Sequence, residues 1–433
     1  MFDQGTGSKS ESSSMTRRQS QWLWTFIIAV GIVSVGLGYK HRGSVTTVVG
    51  SLGRQGLSKV LLAKYFGGAG MVHSFPAEFE MPVDGEVIKG KIQYTFDVDL
   101  QETMEAMFRT YRPDYGAFVA IDPETGRILS MVSYSLDGDL KENLALRATF
   151  PSASVFKVVT ASAAIAEHKL SVNSVISFNG RNHTLYRHDI LKTNVTRWTR
   201  YMTLREAFAR SVNTVFGKVG AFSVGPATMR AYAGRFGFDR QIAADLPIQE
   251  GHAPISEDPW KLAETSSGFT RDNTMSPLQG ALIAAAIAND GLMMEPYVVE
   301  SVRRADGKDL YVGQPKVSAQ TVDPLTAEQI RILMRQTVSN GTSRRSFTRF
   351  FRGHFTNLDV GGKTGSLTGL DPQGKYDWFV GYARANGTGR PAIAIAALTV
   401  HKKFWKVKSS YVARKAIEKY FQKGTPRSLA LEP

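Results

Sequence analysis

One serine and one lysine stand three residues apart in a form that suits nucleophilic chemistry. Ser154-Val155-Phe156-Lys157 opens a stretch, 155–167, that is apolar on nearly every side and predicts a buried helix. Residues at i and i+3 share a helix face. Burial lowers the pKa of a lysine, so a neutral Lys157 amine can take the proton of Ser154. A capping serine before a lysine that only lies along the helix surface would give the same pattern.

A second candidate is Lys363-Thr364-Gly365-Ser366, in a strand-like stretch near the C-terminal end. A phosphate-binding loop needs glycine where this chain has Asn357, so the sequence argues against a nucleotide site. Lys363 and Thr364 suit a substrate carboxylate instead. Gly365 would allow the backbone to approach the substrate closely.

The third element is a Ser-x-Asn triplet, for which the signal is weak. Such triplets begin at Ser171, Ser177 and Ser211. Only the last follows a predicted helix with a capping box, 204–210. We therefore choose Ser211, to relay protons, and Asn213, to bind a substrate amide.

In their order along the chain, Ser154-x-x-Lys157, Ser211-x-Asn213 and Lys363-Thr364-Gly365 resemble the active-site set of penicillin-binding proteins and serine β-lactamases. Residues 93–433 as a whole are similar to the transpeptidase domain of class B penicillin-binding proteins. The resemblance implies an α/β fold of the penicillin-binding/serine β-lactamase type. Its five-stranded antiparallel sheet is packed between helices, and an all-helical subdomain faces the site.

The resemblance also assigns roles to the motif residues. Ser154 would be the acylated nucleophile, Lys157 its base and Ser211 a proton shuttle toward the leaving amine. Lys363, Thr364 and Ser366 would bind the carboxylate of a D-Ala-D-Ala peptide. The backbone N–H groups of Ser154 and Ser366 would form the oxyanion hole. Which side chain is the acylation base stays open at this point.

The elements around the motifs follow an order that fits this fold. Two strands, 116–121 and 128–132, are joined by a Pro/Gly turn and predict a hairpin. A helical block follows, with helices predicted at 277–288 and 328–338. Three strands and a basic helix complete the chain, at 359–367, 378–383, 392–400 and 411–422. One sheet whose first and last segments meet accounts for this order best.

The N-terminal part predicts a membrane anchor. Residues 1–21 are polar and read as a cytoplasmic tail, and 22–39 as a transmembrane helix. No charged residue lies between Arg18 and Lys40, and these 21 residues reach about 31 Å as a helix. A cleaved signal peptide is the alternative. Residues 40–92 read as a stalk or linker, and 93–433 as the transpeptidase domain.

The short stalk distinguishes this chain from its relatives. Only 53 residues, 40–92, separate anchor and domain, whereas class B enzymes usually carry a large pedestal there. We therefore leave the pairing with a glycan polymerase open, and expect no glycosyltransferase domain of the class A type.

The composition excludes several kinds of site and indicates the charge of the partners. The 433-residue chain has no cysteine, which excludes disulfides and thiolate metal sites, and its eight histidines lack metal-ligand spacing. We expect no metal, no cofactor and no nucleic acid. The net charge of +15 is concentrated at 181–240, with 11 Lys/Arg against 3 Asp/Glu, and at 401–433, with 9 against 2. Acidic stem peptides and anionic lipid are the partners that we expect for these two regions.

Together these observations predict a bacterial D,D-transpeptidase that cross-links peptidoglycan stem peptides and is inhibited by β-lactams. Its single anchor would place the catalytic domain outside the cytoplasmic membrane. Three alternatives stay open: a D,D-carboxypeptidase, a β-lactamase, and a membrane penicillin sensor, for which a 21-residue tail is a short effector. A role in division or elongation, and the oligomeric state, are not decided by the sequence.

Overall fold

The computed structural model describes residues 57–68, 75–83, 86–138, 140–192, 194–352, 355–385 and 392–422. The chain divides into two compact units, one of residues 1–55 and 82–88 and one of residues 56–81 and 89–433. Of the first unit, only the strand ends 82–83 and 86–88 are described. The predicted tail 1–21 and anchor 22–39 lie outside the described residues. Among the residues that the structure describes, no helix combines the length and the apolar character of a membrane span.

The described residues form fifteen strands, of which the longest are β13 and β14. They are β1 (Glu78–Val83), β2 (Glu86–Tyr94), β3 (Tyr115–Ile121), β4 (Ile128–Ser135), β5 (Phe150–Pro151), β6 (Val175–Phe178), β7 (Arg200–Thr203), β8 (Thr274–Met275), β9 (Leu292–Met294), β10 (Val299–Arg303), β11 (Asp309–Val312), β12 (Val317–Gln320), β13 (Leu358–Leu370), β14 (Gln373–Ala385) and β15 (Ala392–His401).

Most of the helices lie between β4 and β13. The α-helices are Lys59–Gly68, Val98–Tyr111, Lys157–Ala166, Arg187–Leu191, Leu204–Ala209, Asn213–Lys218, Pro226–Arg235, Pro259–Ser267, Pro277–Ala288, Pro324–Asn340, Arg344–Phe347 and Ser409–Gln422. The 3₁₀ helices are Ala153–Phe156 and Phe350–Arg352, and one π-helix spans Val219–Val224.

The central sheet has five antiparallel strands in the order β13-β14-β15-β3-β4. The last strand of the chain, β15, pairs with β3, with Leu398 opposite Ala117, so the first and last segments meet as predicted. The turn that joins β3 and β4 ends at Gly126, whose φ of +81° favours glycine. The predicted five-stranded antiparallel sheet is therefore confirmed.

Helices cover both faces of this sheet. On one face, Val98–Tyr111 and Ser409–Gln422 bury Phe108 and Ile417 in a core that includes Phe379. On the other face lies Pro277–Ala288, all of whose residues are buried. A Cβ atom on its Gly280 would lie 3.1 Å from Val380 Cγ2, which shows how closely this helix packs on the sheet.

The predicted stalk, 40–92, differs from the structure where its residues are described. The helix Lys59–Gly68 buries Leu62 and Phe66, and β1 buries Phe79 and Met81 on alternate positions. Lys91–Tyr94 of β2 pairs with β10, so the predicted boundary between 92 and 93 falls within a strand. The alternation of acidic and apolar residues at 78–81 is the sequence signal for this strand.

The helical portion that faces the site spans about 157–267. As predicted, its helix Leu204–Ala209 begins with a capping box, in which Thr203 and Glu206 exchange hydrogen bonds. The helix ends one residue earlier than predicted. The portion also carries a two-stranded ribbon, in which β6 pairs with β7, besides its helices.

Candidate active site

Ser154 lies on the 3₁₀ turn Ala153–Phe156, and Lys157 begins the α-helix that follows. The turn is held from behind by buried Val155 and Phe156. Ala153 has a φ of +48°, so the backbone turns sharply just before the serine. Gly268 faces this turn, and a Cβ atom there would lie only 1.8 Å from Ala153 O. The site therefore requires glycine at 268.

The Lys157 amine contacts the serine hydroxyl directly. Its Nζ lies 2.7 Å from Ser154 Oγ, 2.8 Å from Asn213 Oδ1 and 2.5 Å from the Ser267 carbonyl oxygen. The amide and carbonyl oxygens only accept hydrogen bonds. A neutral amine donates its two N–H bonds to them, which leaves its lone pair to accept the proton of Ser154. The geometry thus suits Lys157 as the base.

Electrostatics favours the neutral form of this amine. Lys157 is completely buried, and burial lowers its pKa well below the usual lysine value, with a further lowering from the charge of Lys363. The face of the Phe216 ring lies 5.9 Å from the amine and adds an apolar wall.

Asn213 contacts the first motif directly, and Ser211 lines the same cleft as Ser154. The Asn213 side chain links Lys157 to the segment that contains His183, because its Oδ1 accepts from Lys157 and its Nδ2 donates to the His183 carbonyl at 3.0 Å. Ser211 adopts a φ of +55° in the short segment between two helices. Lys363 Nζ donates to that hydroxyl at 2.9 Å.

Lys363 lies behind the wall of the site rather than in it. Its side chain is completely buried, donates to Ser211 Oγ and to the Thr364 carbonyl, and faces the Phe208 ring at 5.5 Å. Burial lowers its pKa to about 7. Its position suits control of the Ser211 proton. Direct contact with a substrate carboxylate, which we expect from the sequence, would need the side chain to move.

The hydroxyl and amide side chains of the motifs open onto one cleft of about 580 Å³. Ser154, Ser211, Asn213, Thr364 and Ser366 all line it. The β13 strand passes close to the nucleophile, since a Cβ atom on residue 365 would lie 3.3 Å from Ser154 N. Glycine at this position therefore allows the strand to pass close to the turn that carries Ser154.

Several lining residues were not found from the sequence. Asp377 on β14 accepts from Ser366 Oγ and Lys408 Nζ, each at 3.4 Å, and burial raises its pKa. Thr342 Oγ1 lies 2.5 Å from Thr364 Oγ1, and Arg345 follows it one turn later. None of them belongs to a local motif, because the fold brings them in from distant segments.

His183 also lines the cleft, and the two buried lysines affect the pKa of its ring. Burial and the two lysines, Lys157 and Lys363, lower its pKa, so the ring is neutral near pH 7. Among the residues that the structure describes, no group of three or more His, Cys, Asp or Glu side chains is arranged to hold a metal ion.

Comparisons with known proteins agree with this geometry. The family model of the penicillin binding protein transpeptidase domain matches residues 116–421. The peptidoglycan D,D-transpeptidase PbpA of Mycolicibacterium smegmatis is 30% identical over 318 residues, which are 66% of this chain and 62% of that protein. This chain therefore spans less than two thirds of that relative.

Solved structures give the same result. The crystal structure of PBPA from Mycobacterium tuberculosis has a TM-score of 0.63 and 26% identity, covering 77% of this chain and 83% of that one. A ceftriaxone acyl-enzyme complex of the M. tuberculosis protein has a TM-score of 0.62 and 25% identity, with 76% and 80% covered. Because the family model matches residues 116–421, which are most of the described chain, and residues of all three motifs line one cleft, this chain belongs to the penicillin-binding protein transpeptidase family.

Proposed function

We propose that this chain is a serine D,D-transpeptidase that joins peptidoglycan stem peptides through an acyl-enzyme on Ser154. One observation carries the proposal: the completely buried Lys157 amine lies 2.7 Å from Ser154 Oγ, while two pure acceptors bind its N–H groups. An activated serine in a cleft with hydroxyl donors on a strand edge suits acyl transfer from a peptide that ends in a carboxylate.

Acylation begins when Ser154 Oγ attacks the carbonyl carbon of the D-Ala-D-Ala bond and Lys157 Nζ takes its proton. The tetrahedral oxyanion would be held by the backbone N–H groups of Ser154 and Ser366. The C–N bond then breaks, and the leaving D-Ala nitrogen receives a proton from the Lys157–Ser211 side of the site. Ser154 is left as an ester of the donor peptide.

Deacylation reverses these roles with a new amine. The amine of an acceptor peptide loses a proton toward Ser211 and Lys157 and attacks the ester, and Ser154 Oγ regains the proton as it leaves. Lys363 holds Ser211 at 2.9 Å, and its lowered pKa of about 7 makes this hydroxyl part of a relay that can take and return a proton.

Labelling with a fluorescent penicillin tests the nucleophile. Ser154→Ala is expected to abolish labelling while the melting temperature stays within a few degrees of wild type. Ser152→Ala is the matched control, because Ser152 is buried two residues away and its Oγ has no hydrogen-bond partner among the described residues. Persistent labelling of the first variant, or loss in the control alone, would sink the assignment.

The geometry favours a transpeptidase over a β-lactamase, which would hydrolyse the penicilloyl ester. A β-lactamase needs a base for water near the ester. Of the described residues that line the cleft, only Asp377 is acidic, and it is bound by Ser366, Lys408 and the Ser409 N–H. Transpeptidase and carboxypeptidase differ only in the acceptor. Incubation with a donor peptide and an amine acceptor distinguishes them, since cross-linked and trimmed products differ in mass.

Anchoring to the bacterial cytoplasmic membrane is part of the proposal. It rests on the apolar sequence 22–39, with the substrate on the outer side. A chain that lacks residues 1–39 is expected to be soluble and to bind penicillin. If it still sediments with lipid vesicles in high salt, another segment must also bind the membrane.

A further inference from the structure

Among the described residues that line the cleft, one positively charged side chain has no ion-pair or hydrogen-bond partner. Lys408 is compensated, because its Nζ lies 3.4 Å from Asp377 Oδ1 and 3.3 Å from the centre of the Trp405 ring. Lys157 and Lys363 are completely buried and do not line the cleft. Arg345 lines it, is exposed, and forms no ion pair or hydrogen bond with any residue that the structure describes.

The turn that carries Arg345 is fixed on both sides. Before it, Thr342 Oγ1 lies 2.5 Å from Thr364 Oγ1 on the strand edge. After it, Ser346 Oγ lies 2.7 Å from Ser410 Oγ. Phe347 is completely buried, and its ring centre lies 5.7 Å from that of Phe379. The backbone of Arg345 is therefore held next to Thr364, and only its side chain is free.

We propose that Arg345 is the carboxylate-binding residue of a subsite beside Thr364. A guanidinium binds a carboxylate through two parallel hydrogen bonds and is always charged. Thr364 and Ser366 supply only neutral hydroxyls, and the charge of Lys363 is buried behind them. Arg345 supplies the charge that these hydroxyls lack. The ligand is a carboxylate of the peptide substrate, so this inference rests on the proposed function.

The variant Arg345→Gln tests the subsite in the full chain. It is expected to slow acylation by penicillin G about ten-fold or more, since a charge-assisted hydrogen bond is lost, and to leave the rate with penicillin G methyl ester unchanged. Arg345→Lys should recover part of the rate. Arg344→Gln is the matched control, because Arg344 is exposed on the same turn but does not line the cleft.

Peptide donors show which carboxylate is bound. A peptide that ends in D-Ala-D-Ala and carries a second carboxylate earlier in its chain is compared with the same peptide in which that group is amidated. A loss in Arg345→Gln with both peptides and with penicillin assigns the terminal carboxylate. A loss only with the free second carboxylate assigns that group, and each result supports a carboxylate subsite.

Two kinds of result overturn the inference: one excludes only the subsite, and the other also excludes the proposed function. If Arg345→Gln acylates at the wild-type rate with every donor, loses rate equally with the ester, or behaves as Arg344→Gln does, the subsite is excluded and the proposed function stands. If the wild-type chain forms no adduct with any donor, the proposed function fails, and the subsite fails with it. Intact-protein mass spectrometry measures the adduct in each case.

Discussion

The replacement Lys157→Met tests the central contact of the proposed mechanism. Methionine has about the length of lysine but no amine, so the hydrogen bond to Ser154 Oγ at 2.7 Å is lost while the space stays filled. General-base catalysis contributes roughly 10²–10⁴ in rate. That range equals about 3–5 kcal/mol in the barrier of acylation.

The same change has a smaller effect on the free energy of unfolding, because two contributions of opposite sign partly cancel. Asn213 Oδ1 and the Ser267 carbonyl lose their donor, at about 1–3 kcal/mol for each buried acceptor left alone. The desolvation of a completely buried amine is removed, which offsets part of this cost. We expect a folded protein whose melting temperature is lowered by a few degrees.

The assay is the second-order rate of penicilloyl adduct formation, followed by the mass of the intact protein at several pH values. In the wild type, the rate should rise with pH as Lys157 loses its proton, with a midpoint well below the usual lysine pKa. This rise should be absent in Lys157→Met. Lys218→Met is the control, because this half-buried lysine donates to the Ser177 carbonyl and does not line the cleft.

A folded Lys157→Met protein that acylates within ten-fold of the wild-type rate would refute the assignment of Lys157 as the base. A wild-type rate that does not depend on pH between 5 and 9 would contradict the protonation argument, even if the variant is slow.

Three further outcomes are expected. Ser211→Ala should slow formation of the cross-linked product by about 10–100-fold, measured by product mass, and an unchanged turnover would remove Ser211 from the relay. Lys363 has a pKa of about 7 in the folded chain and about 10.4 when unfolded, so the unfolded state binds more protons between these values. The stability of wild type relative to Lys363→Met should therefore rise with pH from 7 to 10, by at most about 1.4 kcal/mol per unit in urea unfolding, and a flat difference would contradict burial of this amine. The penicilloyl adduct of the wild type should persist for many minutes, and return to the free mass within seconds would favour a β-lactamase.

Much of the fold could be predicted because its signals are local. The helix Pro277–Ala288 was predicted to the residue from a long apolar stretch with proline at its start. The strands near the C-terminal end were found in place but too short: β13 runs to Leu370 and β14 begins at Gln373. Exposed polar residues at the tip of this hairpin gave no apolar pattern, although the backbone ladder continues to the turn.

The residues missed in the site share a different cause. Asp377, Thr342 and Arg345 lie in no motif, and each reaches the cleft through pairing or packing with residues far along the chain. Asp377 faces the site because β14 places it opposite Ser366. Only the register of two strands gives that relation, and composition or spacing does not encode it.

The two lysines of the site show how much the fold adds to the motifs. By sequence, Lys157 is the expected base of Ser154 and Lys363 is expected to bind a substrate carboxylate, while the identity of the acylation base stays open. The structure places Lys157 against Ser154 and Lys363 against Ser211, each at hydrogen-bond distance and each completely buried. Because two buried ammonium groups destabilise each other, protonation of one favours the neutral form of the other. In the proposed mechanism, a protonated Lys363 therefore helps to keep Lys157 neutral and ready to accept a proton, without itself touching the substrate.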